Sequence, residues 1–238
     1  MSLYVPRCER CWLHQPLCIC AEVVAIESRT SVSILSHFKE LGRNSNSARL
    51  IPLCLRRGRM FVRGIKGRVV PSEAFMDDGR QSLILYPSED ARCISEFAKT
   101  NCPFHLIVPD GNWRQARRIM KREPRLRDVP IVRLPDGPPS SFRLRRQSHA
   151  AHVSTCEAVA RALGILEGES LQQHLERAFH MMVGRTLWSR GLLSADKVCG
   201  GIPARAHHPT LARGESPGSF RPPSPLGGLA DKTDSSKK

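Results

Sequence analysis

The sequence predicts an α/β protein: a central, mostly parallel sheet flanked by helices, with a small cysteine-rich knuckle at the N-terminus. Residues 30–190 alternate short β-branched or aliphatic runs with amphipathic stretches, the signature of strands alternating with helices. A hydrophobic fraction of 40% over 238 residues suffices for one substantial core. Four cysteines crowd the first twenty residues at spacings suited to a metal.

Three regions follow from composition: a knuckle over residues 1–25, an α/β domain over 26–195, and a Pro/Gly/Ser-rich tail over 200–238. The tail buries too little to offset its ordering entropy, so it is expected to be disordered. Strands are expected at Ser31–Ser36, Leu83–Tyr86, His105–Val108 and Pro130–Leu134, and helices at Asn112–Arg122, Thr155–Leu163 and Leu171–Leu187. Ser170 is the expected cap of the last helix, whose Leu171, Leu175, Ala178 and Met182 share one face. Ser154 and Glu157 form a Ser-x-x-Glu capping box.

Thirty-seven Lys plus Arg against 22 Asp plus Glu leave a net charge of +15 and a pI near 10.1. Such an excess points to a polyanionic partner, most simply a nucleic acid, against the plainer reading of a basic surface that aids solubility. No apolar run approaches the roughly 20 residues that span a bilayer, so no membrane association is expected. The N-terminus lacks the apolar stretch of a secretory signal. Nine cysteines cannot complete a disulfide framework within one chain. Five of them are scattered (Cys54, Cys93, Cys102, Cys156, Cys199), which suits a reducing, cytoplasmic setting. No protein partner is evident.

Four segments carry chemistry. In Cys8-x2-Cys11-x6-Cys18-x-Cys20, four thiolates can form a tetrahedral all-sulfur site for structural Zn2+ or an iron centre. His14 is an alternative fourth ligand, and reduced, metal-free cysteines are the plainer reading. Next, the strand ending at Val108 runs through Pro109, Asp110, Gly111 and Asn112 into a helix. Ligands of open α/β sheets bind at the carboxyl ends of strands, where Asp110 falls; a turn or cap aspartate is the commoner role for such a residue alone. Along that helix Trp113, Ala116 and Met120 are spaced to face the core. Arg114, Arg117, Arg118, Lys121 and Arg122 repeat on another face, a phosphate-contacting stripe that no carboxylate interrupts before Glu123.

The third segment, Ser140 to Arg146, follows a Pro/Gly-rich loop and adds Arg143 and Arg145, which can clamp a carboxylate or a phosphate or belong to a plain basic loop. The fourth, Arg43 to Leu50, reads as a polar loop opening into a helix. A P-loop, a G-x-G-x-x-G fingerprint and His-Glu-x-x-His are all missing. Gly214-Glu215-Ser216-Pro217-Gly218 matches a hydrolase elbow only by chance, since it lies in the tail.

In this order, the cysteine knuckle, SHFKELGRNSNSARL, LYPSEDA, PDGNW, SSFRLRRQ and VSTCEA resemble the DTW-domain family of tRNA-uridine aminocarboxypropyltransferases over about residues 6–190. The resemblance implies a SPOUT-like fold, with or without a knot at the cofactor site, and S-adenosylmethionine as donor of its 3-amino-3-carboxypropyl group. It implies N3 of a tRNA uridine as acceptor and 5′-methylthioadenosine as by-product. It places Asn46, Ser47, Arg49, the Leu85-Tyr86-Pro87 turn, Ser154, Thr155 and Glu157 around the donor. N3–H is a weak acid, so attack benefits from a base, and Asp110 at the strand's end is the best-placed carboxylate for it. Trp113, placed with Asp110 among the catalytic candidates, walls the pocket, stacks on a base or, as its helical spacing also suggests, stays in the core. Two departures stand out: Asn112 occupies the usual Thr position of the Asp-Thr-Trp signature, and Phe38 follows His37 where Pro is frequent. The rival readings are a SPOUT-like S-adenosylmethionine-dependent RNA methyltransferase and a non-catalytic zinc-containing RNA-binding protein.

Overall fold

A computed structural model describes residues 5–100, 102–144 and 153–206. Arg145 and the segment 207–238, most of the expected tail, lie outside the described residues.

Six strands form a single sheet in the order β2-β1-β5-β3-β6-β4: β1 (Ser31–His37), β2 (Gly58–Arg63), β3 (Gln81–Leu85), β4 (Arg92–Cys93), β5 (Phe104–Asp110) and β6 (Ile131–Arg133). Every pairing is parallel, so each connection crosses over the sheet. The helices are α1 (Ile51–Cys54), α2 (Trp113–Arg122), α3 (Thr155–Glu167) and α4 (Glu169–Ser189).

The central strands are apolar on both faces, as a covered parallel sheet requires. Val32, Ile34, Leu83, Leu85, Leu106 and Val108 pack with α3, α4 and the knuckle. Leu35, Ile84 and Ile107 point the other way and pack with Ile119 of α2, Phe75 and Leu126. This alternation decides which side chains of the strand ends face which helix.

Two strands were not expected, and two expectations are corrected. Strands β2 and β4 carried no strong signal, because edge strands pair on one side only and need little apolar patterning. Helix α4 begins at Glu169 behind Gly168 at φ +118°, so Ser170 lies inside the first turn and caps nothing. Trp113 does not enter the core: the buried stripe of α2 is Ala116 and Ile119, and Trp113 is 45% exposed.

The knuckle is fastened to the body by Arg185 of α4, a residue only 1% exposed. Its guanidinium donates to the carbonyls of Leu17 (3.3 Å), Cys18 (3.1 Å), Gly200 (3.3 Å) and Gly201 (3.1 Å) and pairs with Glu22 at 2.8 Å. Residues 200–206, the start of the stretch read as tail, are thereby part of this packing.

Candidate active site

The four knuckle sulfurs lie within 4.8 Å of one another, with Cys8 Sγ to Cys20 Sγ and Cys11 Sγ to Cys18 Sγ both at 3.7 Å. A tetrahedron with metal–sulfur bonds of about 2.3 Å has edges of about 3.8 Å, so the cluster has the dimensions of a Zn2+ site. A hydrogen bond from Cys20 lowers the Cys11 thiol to about 5, the same bond pushes the Cys20 thiol up, and burial raises Cys18 to about 11. His14 is not in the cluster; its ring nitrogens face Arg7 and the carbonyl of Val5.

Asp110 ends β5, opposite Ser36 of β1 in the parallel register, and is buried. Its carboxylate accepts from Ser36 Oγ at 2.7 Å and from Thr155 Oγ1, at the start of α3, also at 2.7 Å. Each carboxylate oxygen keeps acceptor capacity beyond these bonds. Nearby, the hydroxyl of Ser47 accepts from the Cys156 amide at 3.3 Å, joining the 43–50 loop to the N-terminus of α3. Asn46 steadies that loop, donating to the Glu40 carbonyl at 3.0 Å and accepting from the Ala48 amide at 3.0 Å. Arg49 is buried, donates to the Leu41 carbonyl and lies 4.7 Å over the ring of Trp12 in the knuckle. Burial lowers its guanidinium to about 10, against the pull of the Cys11 thiolate and Asp110.

Ser154 and Glu157 form the expected capping box of α3. Glu157 does more, accepting from Ser140 Oγ at 2.6 Å and from the amide and hydroxyl of Ser141 at 2.8 and 3.2 Å. Burial pushes its carboxyl up, and these bonds outweigh burial, so its pKa is lowered. The 140–143 loop is thereby tied to α3, with Arg143 exposed on it.

Across the sheet edge the surface changes character. A cavity of about 830 Å3 opens between the Tyr86–Glu89 turn and α2, lined by Trp113, Arg114, Arg117, Arg118, Lys121 and Arg122. Tyr86 and Trp113 meet edge to face, with centroids 6.1 Å apart at 65°. All five cations of the stripe are exposed, and none has a carboxylate ion pair among the described residues. The turn into α2 is exact in its demands. Asn112 Oδ1 accepts from the Gln115 amide at 2.9 Å, and Gln115 Oε1 accepts from the Asn112 amide at 2.7 Å. A Cβ on Gly111, which sits at φ +157°, would come within 2.8 Å of Gln115 Cβ. Gln115 Nε2 also meets His37 Nδ1 at 3.2 Å. Burial, then Lys39, depress the pKa of that imidazole, against Glu40.

The geometry therefore brings Asp110, Ser47, Thr155, Ser154 and Glu157 together on the α3 side, with Leu85 facing the same core. It sets Tyr86, Trp113 and the cationic stripe on the α2 side. Sequence reasoning missed Ser36, Gln115, Trp12 and Arg185, whose partners are distant in the chain or concealed in ordinary helix and loop context.

A buried carboxylate at the carboxyl end of a central parallel strand and a cationic cavity at the start of the following helix both lie at the edge where ligands of open α/β sheets bind. The DTW domain family matches residues 5–187, and the chain belongs to that family. It is 30% identical over 187 residues to tRNA-uridine aminocarboxypropyltransferase 2 of Drosophila melanogaster, covering 74% of this chain and 73% of that one. With the enzyme of the same name from Mus musculus it shares 31% over 173 residues, 68% of this chain and 57% of the mouse protein. With tRNA-uridine aminocarboxypropyltransferase A of Arabidopsis thaliana it shares 27% over 215 residues, covering 74% of this chain and 79% of the plant protein. No solved structure is a significant match.

Proposed function

We propose that this protein is a tRNA-uridine aminocarboxypropyltransferase, moving the 3-amino-3-carboxypropyl group of S-adenosylmethionine to N3 of a tRNA uridine. The observation that carries this is the family match across residues 5–187, together with relatives of that name. In the transfer, the N3–C bond forms as the bond from that carbon to the sulfonium breaks. The N3 proton passes to Asp110, and 5′-methylthioadenosine leaves.

The residues present fit such a donor. Asp110 and Glu157 supply negative charge beside small hydroxyl side chains, suited to a sulfonium and an ammonium, and Arg49 is a cation for the donor's carboxylate. Ser36 and Thr155 hold Asp110 in one orientation. Asn46 and Ser47 shape the loop, and the backbone of Leu85, Tyr86 and Pro87 completes the rim. Arg143 serves the donor carboxylate or an RNA phosphate. The knuckle holds structural Zn2+ through Cys8, Cys11, Cys18 and Cys20, a role supported by the 3.7 Å sulfur spacings. The three regions, and RNA contact by Arg145, belong to this reading. So do SPOUT kinship, which the all-parallel sheet supports without requiring a knot, and a cytoplasmic setting. No helix among the described residues is long and apolar enough to cross a membrane.

The test is product analysis. Purified protein, unmodified tRNA and S-adenosylmethionine labelled in the carboxypropyl carbons should yield labelled uridine by mass spectrometry of the digest. Transfer of a methyl label instead would make the protein a methyltransferase. Absence of both donor binding and transfer would leave an RNA-binding protein.

A further inference from the structure

We infer that His37 is a positioning residue for the transfer. As a neutral imidazole with its proton on Nε2, it accepts from Gln115 and so holds the turn from Asp110 to Trp113 against the end of β1. This rests on the transferase reading, with Asp110 as the base, and adds what keeps that base's turn in place.

Two successive residues of β1 reach this turn from opposite faces of the sheet. Ile34 packs on the α3 side and Leu35 on the α2 side, so alternation sends Ser36 toward α3 and His37 toward α2. Ser36 Oγ donates to the Asp110 carboxylate at 2.7 Å, and Gln115 Nε2 meets His37 Nδ1 at 3.2 Å. One strand end thus grips both the base and the first turn of the helix that follows it. Between the two grips there is no slack. Gly111 passes so close to Gln115 that a Cβ there would come within 2.8 Å of Gln115 Cβ, so a shift of Gln115 is felt by the residue next to Asp110.

The bonding pattern fixes the proton. The Asn112 amide can only donate, and it does so to Gln115 Oε1 at 2.7 Å. Gln115 therefore turns Nε2, a donor, toward His37. The Lys39 amide meets the same Nδ1 at 3.2 Å, and it too can only donate. Nδ1 offers its lone pair to both, which leaves the ring's one proton on Nε2. A proton on Nδ1 would face two other N–H groups and release Gln115. The surroundings oppose that charge. Lys39 and Glu40 of the following turn and Arg118 of α2 face the ring; burial, Lys39 and Arg118 lower its pKa, against Glu40. Nor is the ring free to swing away, because Phe38 stacks on it with centroids 4.8 Å apart at 30°. The loop after β2 presses on both rings: a Cβ on Gly64, at φ +87°, would fall 3.2 Å from His37 Nε2 and 3.1 Å from Phe38 Cδ1.

The experiment compares the full-length wild type with His37→Asn, His37→Leu and Gln115→Met. Nitrogen NMR of the free protein reads the tautomer, with the His37 signals identified by their loss in His37→Asn. Single-turnover transfer from S-adenosylmethionine to unmodified tRNA is followed against pH. At neutral pH the spectrum should show a proton on Nε2 and none on Nδ1, and the Nδ1 resonance should move in Gln115→Met. His37→Leu and Gln115→Met should slow transfer by roughly 10- to 100-fold, the cost of misplacing a reacting group by about 1 Å. His37→Asn should recover most of that loss, because its Oδ1 replaces Nδ1 as acceptor. It should also keep its rate as pH falls from 6.5 through the lower value at which His37 gains a proton and the wild type slows. A proton on Nδ1 at neutral pH, His37→Leu at the wild-type rate, or an unchanged acid limb in His37→Asn overturns the inference. A protein that transfers methyl or nothing defeats the transferase reading, whereas the tautomer and its response to Gln115→Met are read on the free protein and decide the hold on the turn separately.

Discussion

The two sides of the sheet's carboxyl edge are built on opposite principles. On the α3 side nearly every polar group is already engaged: Asp110 accepts two hydroxyls, Glu157 accepts from three serines, and Ser47 accepts a helix amide. On the α2 side the cations of the stripe are exposed and without carboxylate partners among the described residues. The first arrangement fixes a few atoms to within fractions of an ångström, as bond-making chemistry requires. The second sets a broad field and little geometry, which suits a long polyanion that must be captured in many orientations before one is productive. On the proposed reading, the two surfaces differ because bond-making and capture ask for different things.

Breaking the α3 side should have the largest effect. Asp110→Asn keeps the shape of the side chain and removes the base, so turnover should fall about 10²–10⁴-fold. Binding of tRNA should be unchanged. Turnover near the wild-type rate would remove Asp110 from the proton transfer and leave it as a tie between β1, β5 and α3.

Next in size is the knuckle, which touches only the α3 side of the comparison through Trp12 and Arg49 and through the Arg185 clasp. Cys11→Ser should release bound zinc, measured by elemental analysis, and cost at least about 2 kcal/mol, a fall in melting temperature of roughly 5 °C. Donor affinity should drop with it while tRNA capture by α2 persists. Unchanged melting and undiminished donor binding would show that the knuckle supports neither.

Proton linkage should also separate the sides. Glu157 has a lowered pKa, so its contribution is complete above the usual glutamate value of 4.5 and is lost as pH falls through the lower folded value. His105 on the α2 face has its pKa lowered by burial, against Asp77, and its ring bonds Ser33 at 2.8 Å and Ser82 at 3.3 Å. Below its usual value of 6.5 the unfolded chain takes a proton that the fold resists, so stability is lost as pH falls from there. Thermal melts should therefore decline in two stages, beginning below pH 6.5 and again below pH 4.5. His105→Gln should flatten the first stage and Glu157→Gln the second. A single decline untouched by both substitutions would sink this division.

How far these sides could be read from the sequence depended on contact range. The central strands β1, β3 and β5 stood out by their short aliphatic stretches, Ile34-Leu35, Leu83 to Leu85 and Leu106 to Val108, in strands that are mostly buried. Edge strand β2 is interrupted by arginines and resembled loop. Asp110 was visible as a strand-end carboxylate, but Ser36 and Thr155 lie 74 and 45 residues away, and no local pattern announces such partners. The stripe was visible because helical spacing alone places its cations. Trp113 was misplaced for the same reason: an i, i+3, i+7 pattern fixes a face to within a turn's shoulder, and here the shoulder is the cavity wall. Arg185 looked like any helical arginine until its carbonyl partners in the knuckle were brought to it.

The smallest expected effect concerns the residue that departs from the family's signature. Thr and Asn both cap helices by accepting from an amide of the first turn, and Asn112 does so at 2.9 Å within a reciprocal box with Gln115. The role filled at this position is thus capping, which either residue can perform. Asn112→Thr should shift stability by no more than about 0.5 kcal/mol and leave turnover within about two-fold, whereas Asn112→Ala should cost about 1 kcal/mol. Melting temperatures and single-turnover rates of the three proteins check this. The cap stands where both sides meet, since Asp110 lies two residues before it and Trp113 directly after. A tenfold gain in turnover on restoring Thr, at equal stability, would mean that a hydroxyl at 112 reaches the substrates. The boundary between the two sides would then run through α2's first turn instead of along the sheet edge.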